Sequence, residues 1–256
     1  MENQIVKEQF NKQAKKFADW AVTRNTAQMK GYYDFCEISP RDTLLDVACG
    51  PGAMTVFMAH HVRSATGVDI SDNEIEIANN VARQLGIANI QFDCSDVEQL
   101  PYPDNSFSVV LCKAAFHHFV QPVKVFNEMK RCCMQGGKVS IQDIAAYDDI
   151  YVDEYFETFE KLVDICHHRT LQEREFAQLF TNADIDITDQ FMLTVDLSVD
   201  EYLEHAVQDK DGRLALEKLI KDGIKDPRLK EYLFYRDDQL FFKRNVYLIV
   251  GQKKDK

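Results

Sequence analysis

The chain has 256 residues, 45% apolar and 28% charged, an ordinary globular composition with enough length for a sizeable core. Lys and Arg number 30 against 42 Asp and Glu, a formal charge of −12. Polyanions are held by clustered cations, so this balance argues against a nucleic-acid binder or a general binder of anionic membranes.

Residues 1–40 carry helical spacing, with Ile5, Phe10, Ala14, Phe17 and Ala21 recurring near i, i+4, i+7, and Pro40 closes this N-terminal cap. From 43 the pattern alternates. The apolar run 43–48 reads as a strand and ends in Gly50-Pro51-Gly52, with a helix over 53–61. A strand at 65–68 ends at Asp69, and a helix at 72–85 stops at Gly86. Strands follow at 90–94 and 107–112, then a helix at 122–134 with Pro122 in its first turn, then a strand at 138–144. Strands separated by helical segments predict βαβ units, hence an α/β, doubly wound, mostly parallel sheet. After 144 the rhythm changes. Helices are expected at 149–168 and 171–181, a strand near 185–194, further helices through 198–236, and a strand at 240–250. No repeat or Pro/Ser-rich linker interrupts the chain, so a single domain is expected. Its parts are a core over 43–144, a helical cover from 145–183 and 196–236, and a last strand at 240–251. Residues 145–210 hold 17 acidic and 4 basic side chains, read as a solvated face of this cover.

The glycine turn lets backbone approach a ligand, and the helix start behind it offers free N–H groups. Asp69, at the end of the second strand, is placed to accept hydrogen bonds from ribose hydroxyls. A dinucleotide fingerprint needs a third glycine where Thr55 stands. Asp46, just ahead of the turn, suits a cationic cofactor better than one carrying phosphates.

LLDVACGPG at 44–52, GVDIS at 67–71, DVEQLPYPDNSFSVVLCKAAFHHF at 96–119 and EMKRCCMQGGKVSIQD at 128–143 resemble the ordered motifs of class I S-adenosylmethionine-dependent methyltransferases. The nearest subgroup is the small-molecule, ubiquinone/menaquinone-biosynthesis type, whose N-terminal signature QFNKQAKKF at 9–17 is similar to. The resemblance implies a Rossmann-like sheet of seven strands, the last one antiparallel. It implies S-adenosylmethionine as cofactor, S-adenosylhomocysteine as product and a small organic acceptor. Ala48, Gly50 and Gly52 would hold the methionine part, with Asp46 beside them. Asp69 would bind the ribose and Ile70 would pack on the adenine. Asp96 would accept from the adenine amine, with Val97 beside it. Backbone at Cys112 and Lys113 would face the cofactor's amino group, and Phe17 would help close the site.

His117 and His118 follow the fourth strand. Either could be a general base or shape the pocket, and their adjacency predicts that at most one reaches the methyl. The other histidine pairs, 60–61 and 167–168, and Cys132-Cys133 lack metal-ligand spacing, so no metal is expected. Trp20, Tyr32 and Tyr33 either line an apolar pocket or fasten the N-terminal helices to the core. The rival readings are a binding protein that keeps the cofactor but has lost transfer, and a non-methylating enzyme using the same cofactor. Cysteine usage and the absence of a long apolar run point to the cytoplasm, without stable membrane insertion, as monomer or homodimer.

Overall fold

Five strands carry the first half: β1 (Thr43–Val47), β2 (Ser64–Asp69), β3 (Ile90–Cys94), β4 (Phe107–Lys113) and β5 (Cys133–Ala145). β1 is buried nearly throughout, as a strand covered on both faces must be, and it sits inside the sheet. The later strands are β6 (Ile185–Ser198), β7 (Leu233–Arg236) and β8 (Gln239–Lys253). The main path runs β3-β2-β1-β4-β5-β8-β6, parallel through β5, with β8 antiparallel to both β5 and β6. This is the expected doubly wound, seven-stranded path. The computed structural model describes residues 2–19, 25–204 and 210–254, for residues 2–5, 16, 17 and 19 the backbone alone.

The helices are α1 (Glu2–Asp19), α2 (Thr26–Phe35), α3 (Ala53–Ala59), α4 (Asp72–Gln84), α5 (Pro122–Cys132), α6 (Ile150–Val163), α7 (Glu173–Asn182), α8 (Val199–Leu203) and α9 (Lys210–Gly223). Alternation along the strands divides the core. Leu44, Val109, Leu111 and Leu248 meet α2 and α3 on one face. Leu45, Val110 and Ile141 meet α5 and α7 on the other. The helix ends follow their local chemistry. Ser71 caps α4 by accepting from the Glu74 amide at 3.2 Å, and the Asp149 carboxylate caps α6. Gln172 and Glu175 form a capping box at α7.

The second half departs from the sequence reading in three places. α6 stops at Val163 and does not run to 168, because the Asp164 carboxylate turns back to the Cys166 amide at 2.8 Å. The span 196–236 is not wholly helical: it takes in the end of β6 and all of β7, a hairpin partner of β8. The two-residue turn Asp237-Asp238 is left-handed at both positions, φ 48° and 62°, as a primed hairpin turn requires. Asp-Asp is a weak signal for such a turn, and four residues are too few for visible alternation. Finally, β6 and β8 outrun the sheet. β8 parts from β5 at Asn245 and continues as a ribbon with β6 and β7, past the carboxyl ends of the parallel strands.

Gly52, at the start of α3, has φ 80°, and a Cβ there would lie 2.7 Å from the Phe92 ring and 2.8 Å from the Ala78 Cβ. Gly52→Ala is therefore expected to destabilise the chain by at least about 1–2 kcal/mol from backbone strain alone. An unchanged denaturant midpoint would refute that packing.

Candidate active site

The carboxyl end of β1 is held in an unusual shape. Ala48 and Gly50 are left-handed, φ 56° and 53°. For Ala48 this is a strained conformation of the kind that gathers at ligand sites. The turn is fastened from the neighbouring strand: the Cys49 amide donates to the Val68 carbonyl at 3.0 Å, and the Gly50 amide donates to Asp69 at 2.9 Å. The other Asp69 oxygen accepts from the Ser71 amide at 2.9 Å. One carboxylate thus ties the turn to the start of α4. Behind it Glu74 is buried, 3.4 Å from where a Gly50 Cβ would stand.

This end is rich in buried acid. Burial pushes the Asp46 carboxyl up to about 7, against the pull of the Thr55 hydroxyl, which donates to it at 2.6 Å, and of nearby Lys113. Burial also raises Asp69 and, with Asp69 beside it, Glu74. Lys113 is lowered by burial despite Asp46 and Asp143 nearby. Thr55 thus pins α3 to β1, at the position where a dinucleotide site would leave a glycine gap.

Past β4, Ala114 is again left-handed, φ 54°, and starts a 3-10 turn over Phe116–His118. Asp143, at the end of β5, organises this turn. Its Oδ2 accepts from the amides of Ala115 and Phe116 at 2.9 and 2.6 Å, and its Oδ1 accepts from His117 Nδ1 at 2.5 Å. Asp143 is fully buried, yet His117 and the backbone donors hold its carboxyl below the usual range. His118 Nδ1 donates to the Cys166 carbonyl at 3.1 Å, and its ring packs edge-on against Phe10 of α1 at 5.1 Å. Burial and His117 beside it push His118 well below the ordinary imidazole value. The expectation that the two histidines diverge is corrected: both line one cavity, with ring centroids 4.0 Å apart. The divergence rule applies to extended strand, and this segment is a tight turn. The amides of His168 and Arg169 brace it by donating to the His117 carbonyl at 2.9 and 3.2 Å.

The protruding ribbon closes the far end. Leu193, Val195, Val246 and Leu248 form apolar wall, continued by Met29, Tyr32 and Phe35 of α2. Among them sits a polar group of three. Arg244 is ion-paired with Glu160 of α6, the Tyr202 hydroxyl donates to Glu160 at 2.8 Å, and Arg244 donates to the Tyr202 oxygen at 2.9 Å.

These walls enclose a cavity of about 680 Å³ that runs from the Asp69 turn to the ribbon. Of the sequence candidates, Asp46, Ala48, Gly50, Asp69, Ile70, Asp96, Val97, Lys113, His117 and His118 line it. Gly52 and Cys112 do not: Gly52 shapes the helix start, and Cys112 is wholly buried in the core. The Phe17 side chain and Trp20 lie outside the described residues. Tyr32 lines the cavity, whereas Tyr33 packs on His61 at 5.3 Å and joins α2 to the end of α3. Glu74, Asp143, Glu160, Tyr202 and Arg244 were not legible as site residues. Arg244 did leave a signal, as a lone charge on the otherwise apolar face Phe242, Val246, Leu248 of a strand.

Comparison with known proteins agrees with this architecture. The family described as "Methyltransferase domain" matches residues 38–213. The methyltransferase YcgJ of Bacillus subtilis is 28% identical over 172 residues, covering 67% of this chain and 68% of that protein. The crystal structure of YcgJ superposes with a TM-score of 0.81 at 23% identity, over 89% of this chain and 98% of that one. The 27-O-demethylrifamycin SV methyltransferase of Amycolatopsis mediterranei is 32% identical over 125 residues, 48% of this chain and 45% of its own length. The ubiquinone biosynthesis O-methyltransferase of Coxiella burnetii is 32% identical over 101 residues, 40% of this chain and 43% of its own. For the last two the match spans less than half of the relative. With the family matched over more than half of the chain and the sheet order in place, this protein belongs to the methyltransferase-domain family and is a methyltransferase of the Rossmann-like class.

Proposed function

We propose that this chain, as a single domain, transfers a methyl group from S-adenosylmethionine to a small organic acceptor and releases S-adenosylhomocysteine. The observation that carries the reading is the set of buried carboxylates around the Gly50 turn, Asp46, Asp69 and Glu74, in the wall of one cavity. Such a set repels a pyrophosphate and suits a cationic nucleoside, whose charge relieves the burial that pushes these groups toward protonation. Asp69 would take the ribose hydroxyls and Asp96 the adenine amine, with Ile70 and Val97 on the faces of the ring. The backbone of Ala48 and Gly50, with Lys113 and Asp46 nearby, would hold the amino-acid end. Bound there, the cofactor supplies a methyl already activated by its sulfonium, so the protein's work is alignment and exclusion of water.

His117 donates its Nδ1 proton to Asp143, which leaves Nε2 with a lone pair for an acceptor proton. His118 stays neutral and shapes the wall between Phe10 and His117. The apolar half under the ribbon gives an acceptor room, which supports turnover over mere cofactor binding. The seven cysteines are free thiols, which suits a reducing cytoplasm. Among the described residues no helix is long and apolar enough to cross a membrane.

Calorimetry with S-adenosylhomocysteine against NAD tests the cofactor, and a preference for NAD would sink the reading. Asp69→Ala is expected to weaken S-adenosylhomocysteine binding by about 1.5–3 kcal/mol, the worth of charge-assisted hydrogen bonds. Unchanged affinity would show the ribose site to be elsewhere. A metabolite screen read by mass spectrometry, for products heavier by one CH2, then identifies the acceptor.

A further inference from the structure

We propose that Glu160, Tyr202 and Arg244 form a specificity site that admits a neutral, largely apolar acceptor and grips a carbonyl-type oxygen on it. The inference rests on the cofactor reading only for which end of the cavity the acceptor takes. β8 lies four strands from β2 in the sheet, roughly 19 Å at about 4.8 Å per strand, so Arg244 is remote from Asp69.

Burying an ion pair in an apolar wall gains little stability over hydrophobic residues of the same size, so its presence there calls for another role. The geometry supplies one. Arg244 is 9% exposed, and its guanidinium packs against both the Tyr202 and Phe242 rings, 4.6 and 5.3 Å from their centroids. Both of its polar partners among the described residues, Glu160 and the Tyr202 oxygen, engage Nη2. Among the described residues no hydrogen bond uses Nε or Nη1, while the side chain lines the cavity. Pre-oriented donors are therefore available to an acceptor atom.

Charge decides what that atom is. Both Glu160 oxygens are engaged, one by Arg244 and one by the Tyr202 hydroxyl, so the group is neutral as a whole. An anionic ligand would take the same donors only beside the carboxylates of Glu160, Asp143 and Asp164, which line the same cavity and repel it. A cationic ligand would meet the charge of Arg244 itself, with Glu160 already paired to it and both Asp143 oxygens engaged by His117 and backbone amides. A neutral oxygen needs only the donors, and Phe35, Leu193, Val195 and Val246 suit an apolar body.

The protein is titrated with acetylnaphthalene, ethylnaphthalene, naphthoate and aminomethylnaphthalene, with and without S-adenosylhomocysteine. The ketone is expected to bind about tenfold or more tighter than the hydrocarbon, as one made hydrogen bond predicts, and tighter than either charged probe. Glu160→Gln frees the guanidinium charge and is expected to turn the preference toward naphthoate. The double variant E160L/R244M replaces the pair with apolar groups that keep the fold, and it is expected to bind ketone and hydrocarbon equally. Equal binding of those two by the wild type overturns the proposal, as does a charged probe binding best. A ranking unaltered in E160L/R244M also overturns it. S-adenosylhomocysteine affinity, read in the same samples, stays at the wild-type level in both variants. Its absence in the wild type would overturn the cofactor reading, whereas the probe ranking alone decides the specificity site.

Discussion

His117→Ala is expected to lower kcat for methyl transfer by roughly 10²–10⁴-fold, the usual worth of a positioned general base, with S-adenosylhomocysteine affinity close to wild type. The reason lies in the Asp143 carboxylate. Its Oδ2 is committed to two backbone amides, and its Oδ1 accepts from His117 and from the Ile144 amide. Asp143→Asn must place an NH2 on one of these sides. The cheaper side is Oδ1, because His117 can change tautomer and the backbone amides of Ala115 and Phe116 cannot. The asparagine then donates to Nδ1, the proton moves to Nε2, and the base is gone. Asp143→Asn should therefore lose nearly as much rate as His117→Ala, and the double variant no more than either alone, since the two act as a unit. Single-turnover transfer to the identified acceptor measures all three. Full activity of His117→Ala would remove the base and leave His117 as a wall.

Phe242→Ala is expected to cost about 3–5 kcal/mol of stability, a large share of the roughly 5–15 kcal/mol typical of a whole domain. Phe242 is 0% exposed and belongs to a further apolar cluster, beyond the two sheet faces, with Phe156, Phe159, Tyr202, Leu216 and Leu233. Its ring lies 5.9 Å from Phe156, 5.3 Å from Phe159 and 5.1 Å from Tyr202. The cluster joins α6, α8, α9 and β7, so its loss loosens everything that covers the far end of the cavity. Chemical denaturation measures the cost, and a loss below about 1 kcal/mol would mean the site collapses without a cavity. The same variant removes one of the two rings that hold the Arg244 guanidinium, so the ketone preference should weaken with it.

The end of the cavity at the Gly50 turn was legible because its signals are local. The Gly50 turn, Asp69 at a strand end and the Gly86 stop each follow from a few consecutive residues and elementary backbone chemistry. The rest of the cavity was not, because its groups meet across long separations: Glu160 to Tyr202 spans 42 residues, and His117 to Asp143 spans 26. Spacing rules do not reach that far. β7 escaped because four residues show no alternation, and the primed turn Asp237-Asp238 lacks the glycine that usually announces one. His117 and His118 were given opposite directions because a strand rule was carried into a 3-10 turn.

β6 ends the sheet, and its outer side has no partner strand among the described residues. Along its fourteen residues, the alternate backbone donors and acceptors that face away from β8 are a template on which another strand can add. The register shift between Ile187 and Asp189 breaks the even ladder that such an addition needs. Asp186 and Asp189 flank that break and are exposed, Asp186 paired with Lys254, so this edge carries charged side chains that a second strand would have to accommodate. Part of the acidic excess in 145–210 thus lies on an open sheet margin, where charge and a broken ladder both oppose the addition of another strand.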